Sequence, residues 1–589
     1  MQKLASLLVT GVIGLTLTGC AGLNGDSGTD QSLPDQAPAD QIVVLEETDI
    51  PEPETGNAEF EPETLYLLLA AEIAAQRGRY DITLVNYVEA AKRSLDKGVT
   101  ERAMRVAQSL NADNAQRQLA TLWLDIDPDS LEAHRVAAIQ EVKQNNLEAA
   151  LEHMERIMAL GGDADFDSLA AMASNLPPSD QQELLELYRA LEERHPDNPE
   201  IEYSIALLLK ITGAFEAALE QLQPLLEEDP EFQPALVLKA DLLYQLGEKD
   251  EALTHLLRNT RRYPDNRQMG TLYGRMLISE GELQAAQDEF ARLVKRFPDV
   301  PGLQLSHALV ALENGETEVA KEGLSRLIEQ GHHTSEAHYY LGRIADEAGD
   351  AETAIDYYEQ VLEGSHFFPA LARASALKAE QGRLEEARSQ IQSLRMKNPD
   401  RAENFWLLEI NLLLDTGNNE DALAVANQAL EAYPDNVRML YARAMLLDNK
   451  GDFEAAEQDL RRIIELQPDN AVALNALGYI LTTRTERLDE AQDYIERALS
   501  LDPDNPAILD SMGWVLFQKG QVQEALTYLM EAYEAFPDPE VAAHLGEALW
   551  ADGQEEQARI VWRRALEAYP DDTLIIETIE RLGAEADLD

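Results

Sequence analysis

The chain has 589 residues, 45% of them apolar, and carries 109 Asp and Glu against 48 Lys and Arg, for a formal net charge of −61. So acidic a surface repels phosphate backbones, which proteins bind by neutralising them with Lys and Arg, so nucleic acid is excluded as the expected partner; the charge solvates a large exposed surface or, on a sharper reading, favours basic partners. One cysteine, Cys20, permits neither an internal disulfide nor a paired-cysteine metal or redox site.

At the N-terminus, Met1, Gln2 and Lys3 supply a short positive start, and residues 4–17 form an apolar run of 14 residues. That is shorter than the ~20 residues a membrane-spanning helix needs, so residues 1–19 read as a signal peptide. Leu17-Thr18-Gly19-Cys20 follows and resembles the bacterial lipobox. The resemblance implies that Cys20 receives a diacylglycerol and becomes the first mature residue. A plain secretory signal with an incidental cysteine is the other reading. Ala21, rather than Asp, after the cysteine implies sorting to the outer membrane, with the body in the periplasm. Residues 21–63 hold twelve Asp and Glu, five Pro and no Lys or Arg. Such a stretch buries too little surface to offset its ordering entropy, so residues 20–63 are expected to be a lipidated cysteine followed by an extended, disordered linker. Its apolar patch Ile42-Val43-Val44-Leu45 is a loop segment or a docking motif.

From residue 64 the chain repeats itself. One alanine recurs as Ala218, Ala252, Ala286, Ala320, Ala354, Ala387, Ala422, Ala456, Ala491, Ala525 and Ala558, at intervals of 33 to 35 residues. Five residues before most of them stands a glycine (Gly213, Gly247, Gly281, Gly315, Gly349, Gly382, Gly417, Gly451, Gly520, Gly553), suited to ending a first helix in the left-handed conformation. Eleven or twelve residues after most of them comes a proline such as Pro230, Pro434 or Pro570, which stops a second helix. The alanine is expected where the two helices cross. Small residues at the eighth position, such as Gly274, Gly342, Gly513 and Gly546, admit the partner helix, and bulky ones such as Phe290, Tyr358, Leu529 and Trp562 fill the seam. This pattern resembles the tetratricopeptide (TPR) family over residues 64–572. The resemblance implies an all-α, right-handed superhelical solenoid of about fifteen helix pairs, with residues 573–589 as a C-terminal cap and tail. Within it, Gln116 takes an alanine position, Trp123 takes another, and Pro177-Pro178 should break or shorten a helix near 165–180.

The motifs of chemistry are missing: no phosphate-binding loop, HExxH, GxSxG or paired-Cys zinc pattern occurs. His332, His333 and His338 cluster, but no Cys or well-placed carboxylate completes a metal site, and they read as surface residues. The expectation is a non-enzymatic protein with no cofactor, no metal and no small-molecule substrate.

Helix-pair arrays of this kind bind other proteins in the groove lined by their first helices. Positions 7, 8 and 11 of each unit pack on the second helix, so positions 2, 5, 9 and 12 form another face. In the C-terminal units that face collects Tyr441, Tyr479, Trp514, Phe517 and Trp550, the expected partner-binding groove unless they pack against neighbouring repeats or the cap. Trp406 and Trp562 take core positions instead. The lipobox, the acidic linker and an array of this length resemble outer-membrane TPR lipoproteins that act as adaptors of periplasmic carboxy-terminal processing proteases. The stretches Ala476-Leu477-Gly478-Tyr479, Asp510 through Leu516, and Ala543-His544-Leu545-Gly546-Glu547 add to that resemblance. It implies a protein that presents cell-wall hydrolases to such a protease by raising their effective concentration. A lipidated array that assists assembly of an exopolysaccharide-export or pilus channel is the alternative.

Overall fold

The computed structural model describes residues 60–584, and Cys20, the signal peptide and most of the acidic linker lie outside them. The described residues contain 31 α-helices and no strand. They run as fifteen antiparallel pairs and one terminal helix. Two compact units divide them after Leu327, in the last turn of the helix Thr317–Gln330.

The repeat chemistry explains the pairs. All eleven recurrent alanines are 0% exposed, because each lies where its second helix crosses the first and a longer side chain would separate them. All ten predicted glycines have positive φ, between 72° and 85°, and close the first helix of their pair. The eighth-position glycines leave room for the large residue opposite: a Cβ built on Gly274 would lie 2.6 Å from the Phe290 ring, and one on Gly342 2.7 Å from Tyr358. Gly546 meets Trp562 more closely still. Helix starts are capped by side chains that satisfy otherwise unpaired N–H groups, as when Asn436 accepts from Met439 and Asn470 from Ala473.

The irregular pairs have local causes. Before Pro177-Pro178 the first helix is only Phe166–Met172, with a single 3-10 turn at Ala173–Asn175. Pro177 caps the next helix and Pro178 begins it, because proline's missing N–H costs nothing in a first turn. Tyr188 re-ties this pair: its hydroxyl donates to the Phe166 carbonyl at 2.6 Å. Gln116, in place of an alanine, is buried but satisfied, donating to the Ala107 carbonyl and accepting from Gln140. A second irregularity was not expected. The helix Ala351–Glu359 has nine residues where its counterparts have about fourteen, and the chain turns out through Gly364 at φ +84°.

At the C-terminus the helix Thr573–Leu582 buries Ile575 and Ile579 against the last pair and ends at Gly583 in the left-handed conformation. Arg581 clamps Glu547 through two bonds of 2.8 and 2.6 Å.

Candidate functional site

Three successive first helices, Ala471–Arg484, Pro506–Gln518 and Pro539–Ala551, lie side by side in the second unit. Their shared face gathers Tyr479, Asp510, Trp514, Phe517, Glu540 and His544. A residue on one of these helices meets its neighbour about one repeat later, which is how Asp510 and His544, 34 residues apart, come together.

His544 Nδ1 lies 3.0 and 2.9 Å from the two carboxylate oxygens of Asp510, and both residues are buried. Burial works against a charged imidazole, but the Asp510 carboxylate overcomes it, and the histidine is held above its ordinary value with Glu540 and Glu547 adding to the pull. The ring is also covered. Trp514 stacks on it at 3.9 Å between centroids and 16° between planes, and Phe517 stacks on Trp514 at 5.2 Å and 18°. Tyr479 stands 6.2 Å from the same imidazole, and its hydroxyl donates to the Glu540 carboxylate on the third helix. Burial, with Glu540 nearby, drives that phenol well above its usual range. The neighbouring Ser511 hydroxyl donates to the Ala507 carbonyl, so it is engaged with its own helix. The arrangement is a buried carboxylate–imidazole pair roofed by aromatics, in which burial also lifts the Asp510 carboxyl above its ordinary range against the pull of His544, and it is fit to fix three helices in register.

The five aromatics expected in an open groove therefore separate. Tyr479, Trp514 and Phe517 come together. Trp550 belongs elsewhere, 5.9 Å from the Trp562 ring with the Arg559 guanidinium 5.0 Å above it. Tyr441 packs partly against the core of the second unit. Trp514 is 9% exposed, not open to solvent, and the other four are half-buried. The cause is the close spacing of the first helices, which sets the ninth position of one pair against the sixth of the next. Trp562 and Trp123 are buried as expected, and Trp406 is half-buried with Arg395 stacked 3.3 Å from its ring centre. His332 and His333 are exposed, and the His338 ring lies 6.3 Å from Tyr357. No group of three or more potential metal ligands occurs among the described residues.

The reading of the sequence missed Asp510, Glu540 and His544. One signal was available: each is polar within an apolar helical stretch, and Asp510 and His544 are separated by a single repeat period.

Tetratricopeptide-repeat profiles match residues 305–367, 371–437, 407–471 and 441–506, and a second such profile matches 209–276 and 483–543. A curated relative, the TPR repeat-containing protein PA4667 of Pseudomonas aeruginosa, is 40% identical over 543 residues, covering 92% of this chain and 90% of its own. The chain belongs to the tetratricopeptide-repeat family. Among solved structures, a TPR protein from Parabacteroides merdae is 18% identical and matches 42% of this chain and 99% of its own at a TM-score of 0.34. Cut9–Hcn1, an APC/C hetero-tetramer, is 15% identical and matches 83% of this chain and 97% of its own at 0.29. TPR units are protein-binding repeats, so the array is a scaffold for protein partners.

Proposed function

We propose that this protein is a non-enzymatic adaptor, lipid-anchored through Cys20 in the outer membrane with its TPR body in the periplasm. Its partners are proteins: a carboxy-terminal processing protease and the cell-wall hydrolases that protease degrades. The observation that carries the binding part is the continuous face built by three successive first helices, where the half-buried rings of Tyr479 and Phe517 edge the Asp510–His544 pair. An apolar segment of a partner suits those rings, and the chain's net charge of −61 favours basic residues flanking it. The anchor and the protease rest on the lipobox and on the resemblance of the C-terminal stretches. Holding protease and substrate on one tethered body raises their effective concentration without any catalytic residue.

Affinity purification of the tagged protein from membranes tests both parts. Recovery of a processing protease, reduced by Phe517→Ala, supports the reading; recovery of a secretin or polysaccharide porin instead overturns it. Cys20→Ser should remove the protein from the outer-membrane fraction and abolish incorporation of labelled palmitate, and retention of both would refute the anchor.

A further inference from the structure

Among the described residues, the first helix pair, Pro62–Gln76 with Tyr80–Ser94, is covered on one side only. Leu65, Tyr66, Leu69 and Ile73 recur at helical spacing on Pro62–Gln76 and are all exposed, Tyr66 to 70% and Leu69 to 55%. Tyr80, Ile82 and Val85 continue the exposed apolar surface on the second helix. The opposite side of Pro62–Gln76 is also apolar and packs through Ala71 and Ala74. A helix apolar all round is built to be covered all round. Beside it, a cleft of about 420 Å³ opens between Pro62–Gln76 and the helix Lys97–Ser109, with an apolar floor of Phe60, Leu65, Leu68, Leu69 and Val99 and a rim of Glu72, Asp96 and Arg102, the last paired with Glu72 at 3.6 Å.

Charge narrows the choice of occupant. Residues 62–109 carry seven Lys and Arg against six Asp and Glu, a net +1 in a chain of −61. A second copy would bring another −61 to the same place. The segment just upstream has the opposite character: residues 21–59 hold ten Asp and Glu and no Lys or Arg, and their longest apolar run after Cys20 is Ile42-Val43-Val44-Leu45. Leu45 precedes Phe60, which itself lines the cleft, by 15 residues. That length reaches at most ~50 Å and as a coil averages roughly 22 Å, ample to return to the first pair.

We propose that residues 40–50 of this chain dock on the first helix pair, with Ile42, Val43, Val44 and Leu45 on the apolar floor of the cleft and the flanking acids in solvent, away from Glu72 and Asp96. The docked segment covers the apolar end of the array and shortens the tether between Cys20 and the repeats.

Hydrogen exchange in the full chain tests this, comparing wild type with Val43→Asp plus Val44→Asp. These positions lie outside the repeats, so the array still folds. Peptides from residues 62–94 should exchange about tenfold faster in the variant, the factor by which a tether supplying ~1 mM protects a site of ~0.1 mM intrinsic affinity. A synthetic peptide of residues 38–50, added to the variant, should restore protection, and a scrambled one should not. Equal exchange in both proteins overturns the proposal. So does wild-type protection that rises with protein concentration, since a second copy would then be the cover.

Discussion

Trp514 shows how a single side chain changes meaning between sequence and structure. As a ninth-position aromatic it looked like a groove anchor, yet it stacks between His544 and Phe517 and is 9% exposed. Trp514→Ala should therefore cost about 3–5 kcal/mol of stability, the price of emptying a buried aromatic site. A melting temperature indistinguishable from wild type would refute that placement. The Asp510–His544 pair beneath it carries a pH dependence whose direction follows from linkage. His544 is held above its ordinary value, so its contribution is fully present below pH ~6.5 and is lost as pH rises through the raised folded value. Asp510→Asn leaves a buried imidazole without its partner and should cost about 3–5 kcal/mol near pH 6, with the deficit shrinking toward pH 9. Denaturant melts of both proteins across that range check the sign: a deficit that grows with pH contradicts the assignment.

At the scale of a helix pair, two kinds of glycine do different work. Gly281 ends its helix at φ +78° with nothing within 4 Å of the place a Cβ would occupy. Gly281→Ala therefore costs only the left-handed backbone, about 1–2 kcal/mol. Gly546 is helical and faces the Trp562 indole, so Gly546→Ala must displace a fully buried ring. Overpacking of this kind costs about 1–3 kcal/mol and should also alter the Trp562 environment, whereas Gly281→Ala should leave tryptophan fluorescence unchanged. Near-equal spectra for the two variants would show that Trp562 does not fill the space opposite Gly546. The nine-residue helix Ala351–Glu359 belongs to the same scale. The units of Ala320 and Ala354 both lack a proline eleven or twelve residues on, yet Thr317–Gln330 runs fourteen residues, so the missing proline did not mark the short helix in the sequence.

Across the whole molecule, stability is a sum of repeats and their nearest neighbours. Ala354 is wholly buried in the pair Thr334–Glu347 and Ala351–Glu359, and Ala354→Leu should wedge that pair apart at a cost of about 1–3 kcal/mol. Hydrogen exchange should then quicken across residues 334–397 while distant repeats keep their protection. Uniform acceleration along the chain would contradict a quasi-one-dimensional array. The division between what was legible early and late follows the same physics. Alanine, glycine and proline at a period near 34 determined the helix pairs, their crossing points and their turns, because each residue acts on backbone or packing within its own unit. Even the break at Pro177-Pro178 could be read in advance, since proline acts locally. Only the tertiary structure decided which inner-face residues touch, because that depends on how closely consecutive first helices approach, and the period does not encode that distance. Asp510 and His544 stand 34 residues apart in sequence and 2.9 Å apart in space. The same approach turned Trp514 from an exposed aromatic into the roof of that pair.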